Sequence, residues 1–331
     1  MTLKAIDVFA GAGGLSLGLK AAGWSVEAAV EYDAAAMATH RHNFPDTAHL
    51  IEDVREIDFT RFHGVDLVAG GPPCQPFSVS GKRLGSFDVR DMVPEFVRAV
   101  SEAKPRAFIM ENVAGLTASR FDRYLSEQIS ALQSLGYIVF SKVLNAANYG
   151  VAQRRNRLFL VGIRHDQDRI FSFPDPTHDG SFEKPYVTVT SVLTEAPDDI
   201  PNAARIVYCK NPVLRKSPFA GMLFNGKGRP LENDGLAHTI PASAGGNRTH
   251  ILDRQNLVQE YHAQLLAGRA PRKGTLDGVR RLTVSESARI QSFPDTFHFL
   301  GRQSSRYSQV GNAVPPKLAE SVCKSVRLAL A

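Results

Sequence analysis

Short apolar runs alternate with amphipathic stretches over the first half of the chain. The apolar runs predict strands at residues 5–9, 26–30, 49–51, 65–69, 107–110, 138–144 and 157–163. The stretches between them predict helices, the clearest at residues 15–22, 34–43, 93–103 and 124–135. This alternation is typical of a parallel sheet wrapped by helices.

The pattern changes after about residue 173, where prolines become frequent. They stand at Pro174, Pro176, Pro185, Pro197, Pro201, Pro212 and Pro218. Such spacing predicts a separate, loop-rich module of short strands. Helical patterns return at residues 284–291, preceded by the capping residue Thr283, and at residues 316–330.

Composition narrows the class of protein. A chain of 331 residues is long enough for one large domain and a smaller one, and 43% apolar with 22% charged residues is an ordinary globular balance. No apolar run approaches the roughly 18 residues of a membrane span, and no signal-peptide pattern opens the chain, so we expect a cytoplasmic protein without membrane contact. Three distant cysteines, Cys74, Cys209 and Cys323, exclude a disulfide framework and a cysteine-rich zinc site, and we expect no metal.

Charge is distributed unevenly along the chain. The net charge is +6, but residues 201–331 hold 19 Lys and Arg against 8 Asp and Glu, whereas residues 1–200 carry a net −5. The C-terminal part is therefore predicted to face a polyanion, nucleic acid being the natural one, although a solvated basic face is the alternative.

A glycine-rich turn follows the first predicted strand. Gly11, Gly13 and Gly14 stand between strand and helix, where glycine lets a ligand approach the backbone. Glu31 ends the second predicted strand and can bind ribose hydroxyls. Asp53 follows the third predicted strand and can accept a hydrogen bond from an adenine amino group. The set favours a ligand with ribose and adenine but no obligatory phosphate, as in S-adenosylmethionine. A tight turn with two solvated carboxylates is the alternative.

Cys74 follows the fourth predicted strand, in the run Gly70–Ser78. Ligands bind at the carboxyl ends of parallel strands, so this thiol lies where a nucleophile is expected. A lone cysteine more often serves packing, but two flanking prolines and Gln75 suit a core poorly. The loop has no histidine, which disfavours a Cys-His hydrolase and favours thiolate addition to an unsaturated ring.

Six motifs in order resemble those of the DNA (cytosine-5)-methyltransferase family, bacterial restriction-modification type. The resemblance runs from residue 4 to about residue 328. The motifs are FAGAGG at residues 9–14, PPCQ at 72–75, ENV at 111–113, QRRNR at 153–157, RLT at 281–283 with ARIQSFP at 288–294, and GNAV at 311–314.

The resemblance implies an α/β fold. It would be the Rossmann-like, S-adenosylmethionine-dependent methyltransferase type, a mixed sheet with helices on both faces, plus a smaller, loop-rich, mainly β target-recognition domain. We expect a discontinuous catalytic domain at residues 1–175 and 305–331, and the recognition domain at residues 176–304.

The implied activity is methyl transfer from S-adenosylmethionine to carbon 5 of a flipped-out cytosine in a specific duplex DNA sequence. Cys74 would attack carbon 6, because carbon 5 is too weakly nucleophilic unaided. Glu111 would neutralise ring nitrogen 3, which favours surroundings that raise its pKa. Arg157, with Arg155 beside it, would orient the base.

The same resemblance implies the binding residues. Those for the cofactor are Phe9, Ala10, Gly11, Gly13, Gly14, Leu15, Glu31, Tyr32, Asp53, Val54, Pro73, Asn312 and Val314. Those for DNA are Gln75, Ser78, Ser80, Arg90, Lys227, Arg229, Thr239, Asn247 and Arg248.

Two other functions fit the motifs. One is an RNA cytosine-5 methyltransferase acting on transfer RNA. The long segment between Arg157 and Arg281 argues against this function, because a shorter insert suffices for that branch of the family. The other is a catalytically silent DNA-binding regulator, against which Cys74, Glu111 and Arg157 count. Double-stranded DNA is the expected partner of a monomer, and a cognate restriction endonuclease would belong to the same system without direct contact.

Overall fold

A computed structural model describes residues 2–73, 91–168, 170–193 and 199–331. The chain forms two compact units. The first comprises Met1–Tyr149, Asn156–Thr177 and Ala313–Ala331, and the second comprises Gly150–Arg155 and His178–Asn312.

The strands of the described residues fall into one large sheet and two small ones. In chain order they are β1 (Lys4–Val8), β2 (Ser25–Val30), β3 (Ala48–Leu50), β4 (Leu67–Gly70), β5 (Ala107–Val113), β6 (Tyr137–Asn145), β7 (Asn156–Arg164), β8 (Tyr208–Val213), β9 (Met222–Phe224), β10 (Ile251–Leu252) and β11 (Arg280–Arg281). The large sheet has the order β3-β2-β1-β4-β5-β7-β6 and lies wholly in the first unit.

The helices are divided between the units. In chain order they are α1 (Gly14–Ala21), α2 (Ala34–Asn43), α3 (Val93–Ala103), α4 (Asp122–Ser134), α5 (Val189–Val192), α6 (Leu257–Leu266), α7 (Val284–Ile290), α8 (Gln303–Asn312) and α9 (Pro316–Leu330). Of these, α1 to α4 and α9 belong to the first unit.

The central strands of the large sheet are buried along their length, which requires cover on both faces. One face packs Ile6 and Val8 against the apolar stripe of α3, formed by Phe96 and Val100. Elsewhere in the unit α1 packs closely on α9, since a Cβ added to Gly18 would lie 2.4 Å from that of Ala319. The Trp24 indole donates to the Cys323 carbonyl at 3.1 Å and fixes α9.

The second unit has a small core of its own. Phe224, Ile251 and Tyr261 pack together there with Val258 and Leu265 of α6. The strands pair as antiparallel β8–β9 and β10–β11. The unit is loop-rich, as predicted, but more of its described residues lie in helices than in strands, so it is not mainly β.

The large sheet is mixed, as the family resemblance implied, and not wholly parallel, as the strand pattern alone predicted. β7 is antiparallel to both β5 and β6, because the short connection after β6 reverses the chain without a crossover helix. All seven predicted strands of the first unit are present. The division into domains stays a prediction. The compact units differ from it mainly at two places, Gly150–Arg155, which belong to the second unit, and residues 305–312, where α8 packs on α7 within the second unit.

Candidate active site

Strand register brings the predicted site residues to one edge of the large sheet. Val8 is paired with Val30 on one side and with Gly70 on the other, and Gly70 is paired with Met110. The segments that follow these residues therefore leave the sheet side by side. They contain the glycine loop (residues 9–13), Glu31, residues 71–73 and Glu111.

The glycine loop turns through backbone conformations that favour glycine. Gly11 has φ +56° and Gly13 has φ +102°, and Phe9 also has a positive φ of +66°. A Cβ on Gly11 would meet nothing within 4 Å, whereas one on Gly13 would lie 2.5 Å from the Phe44 ring. The loop is thus open at Gly11 and tightly supported at Gly13.

Glu31 connects the glycine loop with α2. Its Oε2 accepts a hydrogen bond from the Gly11 N–H at 3.0 Å, and its Oε1 accepts one from the Asp33 N–H at 2.8 Å. Burial raises the pKa of Glu31 despite these bonds. Each carboxylate oxygen can accept a second hydrogen bond, so the predicted ribose contact is chemically available.

The residues predicted to hold adenine differ in their surroundings. Tyr32 is 72% exposed, so its ring is free of the core, whereas the Val54 side chain is buried. The Asp53 carboxylate is paired with the Arg55 guanidinium, which lowers the pKa of Asp53 to about 2. Asp53 therefore accepts hydrogen bonds as a carboxylate, and a contact from Val54 would come from its backbone.

Other predicted cofactor residues contribute through backbone as well. The side chains of Ala10 and Leu15 are buried. Gly14 is the first residue of α1, and Pro73 is half-buried after β4. Val314 is buried in the first unit, and the exposed Asn312 ends α8 in the second.

Glu111 and Arg157 form the central ion pair of the site. Arg157 Nε lies 2.7 Å from Glu111 Oε1, and the two side chains are only 14% and 10% exposed. Arg157 faces Val113 across β5 and β7, two residues beyond Glu111, so the contact is a cross-strand diagonal. Glu111 Oε2 would be 3.3 Å from a Cβ on Gly71, which places the carboxylate against the backbone that leads to Pro73.

Hydrogen bonds fix the backbone on either side of residues 74–90. The Asn112 amide donates to the Pro72 carbonyl at 3.1 Å, and the Met92 N–H donates to the Pro73 carbonyl at 3.1 Å. The predicted nucleophile Cys74 and the predicted DNA contacts Gln75, Ser78, Ser80 and Arg90 lie outside the described residues.

Arg155 lies among backbone carbonyls of the second unit. Its guanidinium is buried in the second unit and donates to the carbonyls of Ile240 at 2.9 Å and Gly311 at 2.7 Å. These bonds join segments distant in sequence. The ion pair of Glu111 is formed with Arg157. The geometry favours a positioning role for Arg155, and a direct part in catalysis stays a prediction.

Two loops, residues 226–229 and residues 243–249, carry four of the predicted DNA contacts and are neighbours in the second unit. A Cβ on Gly228 would lie 1.8 Å from the Thr249 carbonyl oxygen, so only glycine permits this approach. Lys227, Arg229, Asn247 and Arg248 are exposed on these loops. The exposed Thr239 donates its hydroxyl to the Arg154 carbonyl at 2.8 Å, which anchors its segment.

Sequence reasoning missed the side chain that holds these loops together. The buried Arg281 donates to the carbonyls of Thr249 at 2.8 Å and Asn225 at 3.1 Å. Its position in the RLT motif was the available signal. Sequence reasoning also missed a chain of polar side chains beneath the glycine loop. This polar chain begins at the buried Asp7, and its signal in the sequence was an aspartate inside an apolar strand.

Within the residues that the structure describes, no helix has the length and apolar character needed to cross a membrane. No group of three or more histidine, cysteine, aspartate or glutamate side chains is placed there to hold a metal ion.

Comparisons with known proteins agree over nearly the whole chain. The family model for C-5 cytosine-specific DNA methylase matches residues 3–327. The chain is 34% identical to the type II methyltransferase M.NgoMIV of Neisseria gonorrhoeae, covering 100% of this chain and 99% of that protein. It is 35% identical to M.NgoPII of the same organism, covering 99% and 96%.

A solved structure extends the likeness to the fold. A prophage-encoded E. coli protein, assigned as a DNA modification methyltransferase, superimposes with a TM-score of 0.70 at 25% identity and 99% coverage of both chains. The family model, the two relatives and this structure lead to one assignment: the chain belongs to the C-5 cytosine-specific DNA methylase family.

Proposed function

We propose that the protein transfers a methyl group from S-adenosylmethionine to carbon 5 of a flipped-out cytosine in a specific duplex DNA sequence. The observation that carries this proposal is the Glu111–Arg157 ion pair, which lies beside Gly71 in the segment leading to Cys74. A carboxyl and a guanidinium held together at the carboxyl edge of the sheet suit the recognition of a polar ring.

S-adenosylmethionine, when bound, supplies an electrophilic methyl group. The residues present fit this ligand. Gly11 leaves open space above the backbone, Glu31 has free acceptor capacity next to it, and Tyr32 offers an exposed ring. The carboxylate of Glu31 also suits a ligand that carries a positive charge, because opposite charges attract, whereas the charge of Asp53 is already balanced by Arg55.

The chain's own residues would activate the cytosine. The Cys74 thiolate adds to carbon 6, and the electron pair released from the 5,6 double bond makes carbon 5 nucleophilic. Glu111 holds a proton at ring nitrogen 3, and Arg157 fixes the Glu111 carboxyl from the other side. When carbon 5 gains the methyl group, S-adenosylhomocysteine is the product released. Carbon 5 then gives its proton to water, the electron pair of that carbon–hydrogen bond restores the 5,6 double bond, and the Cys74 thiolate leaves from carbon 6.

The second unit would read the DNA. Lys227, Arg229, Asn247 and Arg248 are exposed on loops that Gly228 and Arg281 hold together. Arginine and lysine suit phosphates and guanine edges, and asparagine suits adenine. We propose a monomeric, cytoplasmic enzyme that acts on double-stranded DNA, with a cognate endonuclease that it does not contact.

The test is to incubate the protein with labelled S-adenosylmethionine and a mixture of duplex DNA and transfer RNA, and then to sequence for 5-methylcytosine. Label in DNA at one recurring sequence is expected. Label only in RNA would favour the transfer-RNA alternative, and DNA binding without any label would favour a silent regulator.

The nucleophile is tested with a pair of cysteine variants. Cys74→Ser should abolish both methyl transfer and covalent trapping on DNA that contains 5-fluorocytosine. Cys209→Ser, which changes a half-exposed cysteine of the second unit, is the control and should keep both. A fully active Cys74→Ser protein would refute the assignment.

A further inference from the structure

A buried polar chain, formed by Asp7, Ser16, His40 and His49, lies beneath the glycine loop. The Ser16 hydroxyl donates to Asp7 Oδ2 at 2.6 Å, and His40 Nε2 lies 2.9 Å from Ser16 Oγ. His40 Nδ1 lies 3.0 Å from His49 Nε2. Asp7, Ser16 and His40 are fully buried, and Asp7 Oδ1 has no hydrogen-bond partner among the described groups.

This polar chain joins the segments next to three proposed cofactor contacts, namely the glycine loop, Glu31 and Asp53. Asp7 on β1 and Ser16 on α1 stand on either side of the glycine loop, so their hydrogen bond closes the base of that loop. His40 lies on α2, whose first turn is capped by Asp33 and tied to Glu31. His49 lies on β3, which leads to Asp53.

His40 supports the glycine loop by a second, independent contact. A Cβ on Gly13 would lie 3.0 Å from His40 Cδ2, so the glycine backbone rests on the edge of the imidazole. The His40 ring is itself packed on Phe44, with ring centroids 4.5 Å apart. Any rotation of His40 would therefore move the surface on which Gly13 rests.

Burial also defines the protonation state of this chain. It lowers the pKa of His40 to about 3, with His49 contributing, so the imidazole is neutral at physiological pH. A neutral imidazole donates from one nitrogen and accepts at the other, and His40 uses both, towards Ser16 and His49. Burying these polar side chains costs free energy of folding compared with an apolar core. This favours a role in fixing the geometry of the glycine loop over a role in stabilising the fold.

We propose that Ser16 and His40 are positioning residues for the cofactor, because they hold the glycine loop in the conformation that aligns Gly11 with Glu31. This inference rests on the proposed function, in which that loop binds S-adenosylmethionine. Neither side chain would touch the ligand, since both are fully buried.

The test measures the dissociation constant of S-adenosylhomocysteine by calorimetry, in the full chain without DNA. Ser16→Ala and His40→Asn each remove the Ser16–His40 link and should weaken binding by about fivefold to tenfold. His40→Gln, whose amide nitrogen can reach the place of Nε2, should recover most of the affinity. Ser287→Ala is the matched control, because it removes a buried hydroxyl that donates to the Thr283 carbonyl in the second unit.

Kinetics give a second readout. The KM for S-adenosylmethionine should rise by the same factor as the dissociation constant, while kcat and the KM for DNA stay unchanged. The inference is overturned if Ser16→Ala and His40→Asn bind with wild-type affinity although their melting temperatures fall. It is equally overturned if Ser287→Ala weakens binding as much, or if His40→Gln is as weak as His40→Asn.

The outcome for the wild type separates this inference from the proposed function. Wild-type protein that binds S-adenosylhomocysteine but methylates no DNA would refute the proposed function, and the comparison of the variants would still decide the inference. Wild-type protein that binds no S-adenosyl ligand would overturn both.

Discussion

At the scale of single residues, Glu111 and Arg157 show how strand register makes a site. The two lie 46 positions apart in the sequence, and pairing of β5 with β7 brings their side chains within hydrogen-bond distance. The family resemblance predicted both residues. It did not predict that Arg155, two positions from Arg157, donates to backbone carbonyls. A guanidinium can satisfy its donors in many surroundings, so the residue type alone does not indicate the partner.

Glu111→Gln should lower kcat by at least about a hundredfold, because an amide cannot supply the proton that the ring nitrogen needs. The affinity for S-adenosylhomocysteine should not change. The measurement is single-turnover methylation of saturating DNA. Glu127→Gln disrupts the exposed ion pair with Arg123 and is the matched control, so an equal loss in both variants would contradict the assigned role.

Asp7 should make stability depend on pH. Burial raises its pKa from 3.8 to about 7, so the unfolded chain releases this proton at lower pH than the folded protein does. The contribution of Asp7 to stability is therefore lost as pH rises from about 4 to about 7, by roughly 4 kcal/mol. Asp7→Asn lacks this carboxyl, so its free energy of unfolding should rise by that amount relative to wild type between the two pH values. Urea unfolding at pH 4 and pH 8 measures this difference.

A control of opposite sign accompanies this prediction. Hydrogen bonds from Thr60 lower the pKa of the exposed Asp58. Asp58→Asn should therefore lose stability relative to wild type as pH rises through the range in which that carboxyl titrates in the unfolded chain. A difference between Asp7→Asn and wild type that does not vary with pH would contradict the assignment for Asp7.

At the scale of elements, the sequence predicted best where one face or both faces of an element are apolar. The helix over residues 93–103 was predicted to the residue, because Val93, Phe96 and Val100 form one stripe. The helix α8 was not predicted, because its polar sequence has few apolar positions and it is stabilised by packing, as at Tyr307. The antiparallel direction of β7 has no local signal in the sequence, since it depends on the path of the chain.

Close packing between loops decides the shape of the proposed DNA-reading surface. Gly228→Ala would bring a Cβ within 1.8 Å of the Thr249 oxygen, so the two loops must separate. We expect a loss of about 1–3 kcal/mol in stability and weaker, less selective DNA binding, with S-adenosylhomocysteine affinity unchanged. Calorimetry and filter binding with cognate and scrambled duplexes measure these quantities.

Gly246→Ala provides the comparison for this substitution. A Cβ there meets nothing within 4 Å, so only the positive φ of +51° is strained, at a cost of about 1 kcal/mol. Equal DNA-binding losses in both variants would show that the loop contact at Gly228 is not what matters.

At the scale of the whole molecule, the uneven charge agrees with the proposal that the cofactor and the DNA are bound mainly by different parts of the chain. Residues 1–200 carry a net −5 and include Glu31 and Asp53, while residues 201–331 hold 19 Lys and Arg against 8 Asp and Glu. The charge boundary near residue 200 is not a boundary of the fold, because α9 belongs to the first unit.

Salt should separate the two binding functions. If the second unit contacts three or four phosphates, DNA affinity should fall on the order of a hundredfold between 50 and 200 mM salt. Binding of S-adenosylhomocysteine should change far less, because few ions are displaced. A salt-independent affinity for DNA, measured by fluorescence anisotropy, would contradict the polyanion-facing role of the basic region.

The contact between α1 and α9 has a consequence for biosynthesis. Gly18 lies against Ala319, and the Trp24 indole donates a hydrogen bond to the Cys323 carbonyl. The core around α1 is therefore complete only when α9 has packed against it. A ribosome translates the whole second unit before α9. The nascent chain can therefore fold its second unit while the first unit is still incomplete, and methyl transfer would begin only after α9 has left the exit tunnel.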